Sequence, residues 1–272
     1  MKPLLLIATL ALSLLPAHGG DPEHFDTLYA ELLKAYRRPP AVIEGTRTVV
    51  FDFKSMTDDA KDKDSLFART LAAFEGSDTG LLKTPDDEKA FWINAYNLGA
   101  VKLVVENYPI RSIRDRKVSL TSYPWSKPLI GTGNKRLSLE GIEQDKLLKR
   151  FKDPRIVFAV NCATISCPDL PAEPFQGKTL DKQLDALMRD YLANPTKGLR
   201  INRETGEIQI SWIFEKHEDL IREGLGGIPG TIHRYLDPAT CEWYKQHERH
   251  TTVKYLKHDW TLNDTALAKP SE

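Results

Sequence analysis

From Phe91 to Val105 the only polar residues are Asn94, Asn97 and Lys102. At helical spacing that leaves no solvated face, and a helix apolar on nearly every side must be enclosed by other elements. Its start is marked just as strongly. Thr84-Pro85-Asp86-Asp87-Glu88 offers a capping hydroxyl, a proline suited to the first helical position, and three acids at the positive end of the macrodipole. The helix is predicted to run to about Asn107 and to stop before Pro109. A chain built this way must supply enough further structure to wrap that helix.

The remainder of the sequence supplies it. Phe25, Leu28, Tyr29, Leu32, Leu33 and Tyr36 form a helical stripe ended by Pro39-Pro40. Thr48 to Phe53 is rich in β formers, and helices are predicted over Ser65 to Phe74 and from Ser138 to Phe151. Arg155 to Asn161 is a short continuous apolar run, the pattern of a buried central strand. Thr179 begins a helix to about Leu192, stopped by Asn194-Pro195. Leu199–Ile201 and Glu207–Trp212 flank a turn in which Gly206 takes the left-handed position, predicting a hairpin. Helical segments near 213–222, 230–236 and 238–247 precede a last strand over 252–260. With no repeat and no linker, the expectation is one α/β (mixed α+β) domain over residues 20–264, with several helices around a small central sheet and a frayed tail over 265–272.

Composition narrows the function classes. Lysine and arginine number 38 against 38 aspartate and glutamate, so net charge gives no reason to seek nucleic acid or an anionic membrane. Apolar content of 41% excludes a disordered chain, and three cysteines cannot form a dense disulfide scaffold. Lys2 followed by the apolar run Leu4–Leu15 and by small residues at Ala17 and Gly19 reads as a secretory signal peptide over residues 1–19. Twelve helical residues cover about 18 Å, short of the roughly 30 Å hydrocarbon core of a bilayer. The expectation is an exported protein, periplasmic or secreted, with no membrane span.

Chemistry is most concentrated in Asn161-Cys162-Ala163-Thr164-Ile165-Ser166-Cys167-Pro168. A thiol there becomes a nucleophile if a histidine or backbone N–H groups lower its pKa. Six histidines beyond the leader are available, and Asp219 or Asp259 could orient one. The candidate set is Cys162 and Cys167 with His258 and Asp259, for acyl-transfer or hydrolytic chemistry. Against it stand two inert readings, buried apolar cysteines or a Cys162–Cys167 disulfide in an oxidising compartment. The C-x₄-C spacing is not the C-x-x-C of thioredoxin-like redox motifs, and Cys241 leaves the count odd.

Asn94 and Asn97 share one helix face and are candidate substrate amides, or else clamps on neighbouring backbone. His247 and His250 are two ligands without a third, so no metal is assigned. Gly224-Leu-Gly-Gly-Ile-Pro-Gly230 lacks the strand and the Lys-Ser/Thr pair of a phosphate loop and reads as a helix C-cap, so no cofactor is assigned. The partner class stays open, with a small molecule or peptide the ligand such a loop would admit.

Four motifs recur together in order: Phe91-Trp-Ile-Asn-Ala-Tyr-Asn97; Asp153 to Cys162 followed by Ser166-Cys-Pro168; Ser211-Trp-Ile-Phe214 with Glu218-Asp219; and Asp259-Trp-Thr-Leu-Asn263. Over about residues 85–263 the chain resembles the uncharacterised family catalogued as domain of unknown function 547. The resemblance implies a shared fold with a cysteine-bearing loop and no established reaction. Four positions depart from the family's usual pattern. Val157 stands where a histidine is common, Lys216-His217 where an aromatic pair is usual, and His258 where a tyrosine often precedes the Asp-Trp pair.

Overall fold

The computed structural model describes residues 21–121, 123–133 and 135–269. The expected signal peptide lies outside the described residues. The chain begins with α1 (Pro22–Tyr36), then a hairpin of β1 (Arg37–Ile43) and β2 (Thr46–Phe51), then α2 (Phe53–Asp59) and α3 (Leu66–Gly76). The stripe predicted for α1 is buried. Pro39-Pro40 does end that helix, but the two prolines sit within β1 at a register shift, where a missing N–H is tolerated.

The enclosed helix is α4 (Pro85–Val105). Thr84 accepts from Asp87 N while the Asp87 side chain accepts from Thr84 N, a reciprocal capping box worth about 1 kcal/mol. From Ala90 to Val105 every residue but Lys102 is buried, under α1, α2 and the helix described next.

That helix is continuous but irregular. Ser138 caps α5 (Leu139–Gly141), a π-helical stretch follows at Ile142–Leu148, and α6 (Lys149–Phe151) ends in left-handed Lys152. The widened turn points Glu143 inward, where it is buried. Short π segments of this kind are frequent at functional sites.

The expected strand at Arg155–Asn161 is absent. Pro154–Phe158 is a 3₁₀ helix followed by irregular backbone. Two features decide this, one local and one reaching to another helix. Asp153 caps the backbone N–H of Arg155 at 3.0 Å with Pro154 at the first position, and the Arg155 guanidinium is held by Asp153, Asp181 and Asp185. The apolar run is buried as predicted, but periodicity alone cannot distinguish a buried strand from a buried tight helix.

The second half follows the sequence closely. After α7 (Leu180–Leu192), β3 (Leu199–Asn202) pairs antiparallel with β4 (Glu207–Ser211), and Gly206 has φ +71°. Helices α8 (Trp212–Lys216), α9 (Glu218–Leu225), α10 (Gly227–Tyr235) and α11 (Pro238–His247) come next. Left-handed Gly226 separates α9 from α10, so the glycine-rich segment is the expected helix cap.

Strand β5 (Thr252–Leu256) pairs parallel with β4, giving the order β3-β4-β5. Parallel pairing makes the chains leave β4 and β5 in the same direction. Trp212–His217 and His258–Trp260 therefore emerge side by side, which is what builds the site. Residues beyond Asp264 form a 3₁₀ turn at Thr265–Leu267, and Lys269 N donates to Val42 O at 3.2 Å. The architecture is mixed α/β, and among the described residues no helix is long and apolar enough to cross a membrane.

Candidate functional site

The Cys162–Cys167 loop leaves the 3₁₀ helix and folds into a tight crook. Asn161 organises it, its side-chain Oδ1 accepting from Ala163 N at 2.6 Å and its Nδ2 donating to Pro168 O at 2.6 Å. This local bonding holds Ala163 at φ +61°, a conformation that costs a non-glycine residue on the order of 1 kcal/mol. The C-terminal segment pins the other side. Ile165 N donates to Thr261 O, Asn263 N to Ala163 O, and Asp259 N to the Ser166 hydroxyl. Two motifs a hundred residues apart in the chain thus close on each other.

Lys197, unremarkable in sequence, completes the support. It is buried, and its ammonium donates to the Cys167 carbonyl oxygen, to Thr48 Oγ1 and to Asp169 Oδ1. Burial lowers its pKa, and Asp169 opposes that shift.

The two loop sulfurs lie 2.8 Å apart and unbonded, so the expected alternative of a closed disulfide is not what the structure contains. Around Cys167 Sγ converge the Cys162 backbone N–H at 3.4 Å, the Cys162 thiol, and the Thr164 hydroxyl at 3.1 Å. Thr164 Oγ1 is in turn 3.1 Å from His258 Nε2. Since the hydroxyl proton is directed at sulfur, the imidazole supplies the next one, and a donor chain runs from His258 through Thr164 to Cys167.

Burial pushes the Cys167 thiol up. The Cys162 thiol, His258 and Thr164 outweigh it, and the pKa falls well below the ordinary thiol range. Cys162 is raised instead, by its hydrogen bond to Cys167 and by burial.

Both sulfurs line a cavity of about 310 Å³. Its walls are aromatic. Trp260 lies 5.3 Å from Trp125, 6.0 Å from Trp212 and 4.1 Å from the His258 ring, centroid to centroid. Opposite stand Glu143, Lys216 and His217, with Arg114 at the rim over Trp260. Burial raises the Glu143 pKa, Lys216 opposes that and Cys167 adds to it, while burial and the Lys216 charge drive His217 down to about 3. His217 and Glu143 are 3.7 Å apart, and the downward shift leaves the His217 imidazole neutral near pH 7.

Not every candidate joins the site. The Asp259 carboxylate accepts from Thr261 N at 2.9 Å, and His258 Nδ1 is buried with no hydrogen-bond partner among the described residues, so the expected aspartate arm of a Cys–His–Asp triad is not assembled. Asn94 and Asn97 are 0% and 1% exposed. Asn94 clamps both the N–H and the carbonyl of Phe175, and Asn97 clamps Ala159 O and Asn161 N. They are backbone staples, the second of the two roles open to them.

Cys241 lies on α11, donating to Ile232 O, and pairs with neither loop cysteine. The departure positions Val157, Lys216, His217 and His258 all line the cavity. Glu143 and Lys197 escaped the sequence reading because only the tertiary fold gives them partners. The paired acids and bases of the Glu140–Lys149 helix carried no signal for which would face inward.

His247 stacks on Trp243 and bonds its carbonyl, whereas the three-donor group that the described residues do bring together is Cys162, Cys167 and His258, within 4.8 Å of one another. Two thiolates gripping one tetrahedral ion at about 2.3 Å would stand roughly 3.8 Å apart. These sulfurs are a full ångström closer, with the Thr164 hydroxyl among the donors.

Fold and site together define a mixed α/β domain with a dithiol crook at the base of an aromatic-walled cavity. Residues 82–192 match the model of the family described as "Protein of unknown function, DUF547". The matched segment holds α4, the π-helical stretch and the cysteine loop; the His258–Trp260 wall lies beyond it. No curated protein and no solved structure matches the chain.

Proposed function

We propose that this is an exported thiol-dependent enzyme of the acyl-transfer or hydrolase class, with Cys167 as its nucleophile. One observation carries the reading. Cys167 Sγ lies in the cavity lining and receives three donors at once, the last of a chain that begins at the His258 ring. Such donors favour thiolate over thiol, and a thiolate is the form that attacks a carbonyl carbon. Here the imidazole acts through Thr164, with no carboxylate partner behind it. Cys162 supports the charge as a hydrogen-bond donor. The aromatic walls suit a small-molecule or short peptide ligand with a flat or apolar acyl portion. Export, periplasmic or secreted, is supported by the leader features in residues 1–19.

The test is covalent labelling. Purified protein treated with substoichiometric iodoacetamide at pH 6.5 should carry the label on Cys167, ahead of Cys162 and Cys241. Incubation with 4-nitrophenyl acetate should acetylate the same sulfur, and Cys167→Ser should abolish acetylation. Labelling confined to Cys241 would remove the proposal.

A further inference from the structure

A thiolate alone can expel a good leaving group, but an amide nitrogen must be protonated as it departs. His258 does not face that task freely. Its Nε2 is committed to Thr164, and its Nδ1 is sealed from solvent.

Among the cavity's other proton-carrying groups, Glu143 is the buried carboxyl. Glu143 lies on the π-helical turn, lines the same cavity as the loop sulfurs and is buried; the Lys216 ammonium and the neutral His217 Nε2 both stand 3.7 Å from its carboxyl. A buried carboxyl normally has its oxygens satisfied by the protein. This one faces a cavity it shares with the nucleophile.

We infer that Glu143 is a catalytic residue of the Cys167 site, the acid that protonates an amide leaving group and then the base that activates water. The inference rests on the nucleophilic reading of Cys167. The Cys167 thiolate attacks the amide carbonyl carbon and forms a C–S bond. As the adduct collapses, the C–N bond breaks and the Glu143 carboxyl proton passes to the departing nitrogen, leaving a thioester, a free amine and the Glu143 carboxylate. Water then adds to the thioester carbonyl while that carboxylate takes its proton, and the C–S bond breaks to return the thiolate. The sum is amide plus water to carboxylic acid plus amine, with no outside oxidant or reductant.

The raised Glu143 pKa suits the first half of this cycle, and Lys216 beside it suits the second by steadying the carboxylate. The substrate class is therefore an amide, and an ester with a good leaving group uses only the second half of the apparatus.

That asymmetry supplies the experiment. Full-length protein and Glu143→Gln are mixed with 4-nitrophenyl acetate, whose leaving group needs no proton, and followed by nitrophenolate release and intact mass. The wild type should turn over. Glu143→Gln should release nitrophenolate in a burst, then stall as acetyl-Cys167, with deacylation slowed roughly 100-fold or more. Glu143→Ala with added formate should recover deacylation, which a merely structural loss would not. Thermal melts and the Cys167 alkylation rate establish that each variant keeps its fold and pocket. Wild-type deacylation in Glu143→Gln, with acetylation still on Cys167, overturns the role of Glu143 alone. No acetylation of Cys167 in the wild type overturns the nucleophile reading beneath it.

Discussion

Lys197 Nζ donates to the Cys167 carbonyl oxygen at 2.9 Å, tying the backbone of the cysteine loop to a buried cation thirty residues downstream. The same ammonium meets Asp169 Oδ1 at 2.6 Å, with side-chain exposures of 1% and 30%. Replacing the lysine leaves a half-buried carboxylate and a buried carbonyl without their donor. Removing one partner of such a pair is expensive even where the pair itself adds little net stability. Lys197→Met should lower unfolding free energy by roughly 2–4 kcal/mol in urea titrations. It should also speed Cys167 alkylation, because the crook loses its anchor. An unchanged midpoint together with an unchanged alkylation rate would show that Lys197 does not hold the loop.

Thr164 makes a second, sharper test. Its hydroxyl joins His258 Nε2 to Cys167 Sγ, at 3.1 Å from each. Thr164→Val keeps the volume and removes the link. The Cys167 pKa is depressed, so the thiolate is present at and above that depressed value; losing a donor moves the pKa upward. Iodoacetamide reactivity should therefore fall on the acid side of the profile and match the wild type at alkaline pH, with the inflection displaced upward. Thr164→Ser should keep the wild-type profile. Coincident profiles for valine and threonine would remove the donor chain from the account.

How much of this could be read in advance depends on the range of the interaction. The capping box of α4, the Gly206 hairpin and the Gly226 cap were legible because each is decided by residues within a few positions of itself. Arg155–Asn161 was misread as a strand because Asp181 and Asp185, which fasten Arg155, arrive from another helix. Cys162, Cys167 and His258 were named from residue chemistry alone, and the hydrogen bonds between the loop and residues 259–263 are what bring them together. Asp259 was the natural partner by adjacency to His258. A residue beside another in sequence points away from it in extended chain, and its carboxylate turned back to Thr261. Glu143 sits among other charged residues, and only a π-helical turn singles it out.

Asn97 connects the enclosed helix to the loop without entering the cavity. Its amide donates to Ala159 O at 3.0 Å and its oxygen accepts from Asn161 N at 2.8 Å, all of it buried. Asn97→Ala would strand one buried donor and one buried acceptor where water cannot follow. Each costs on the order of 1–3 kcal/mol when left unmade, so a loss of about 2–4 kcal/mol is expected in chemical denaturation. A substrate-binding asparagine would instead alter turnover and leave stability alone. A stable Asn97→Ala protein would contradict the staple role.

His217 gives the fold a measurable acid sensitivity. Its imidazole is 11% exposed and held down to about 3 by burial and by the Lys216 charge, against about 6.5 for a free side chain. As pH falls below about 6.5 the unfolded chain takes up this proton and the folded protein does not. Stability is then complete above that value and drains away down to about pH 3, where both forms are protonated. The full span corresponds to about 5 kcal/mol. Glu143 works in the opposite sense. Its raised pKa favours the folded state below its unfolded value near 4.5, and that support fades as pH rises through the folded value. The two are separated by comparison with His217→Gln, which removes only the first. The wild-type advantage over that variant should shrink steadily from pH 6.5 to 3 in urea titrations; a difference that stays flat across this window would mean that His217 is protonated in the folded protein and the pocket wall carries its charge.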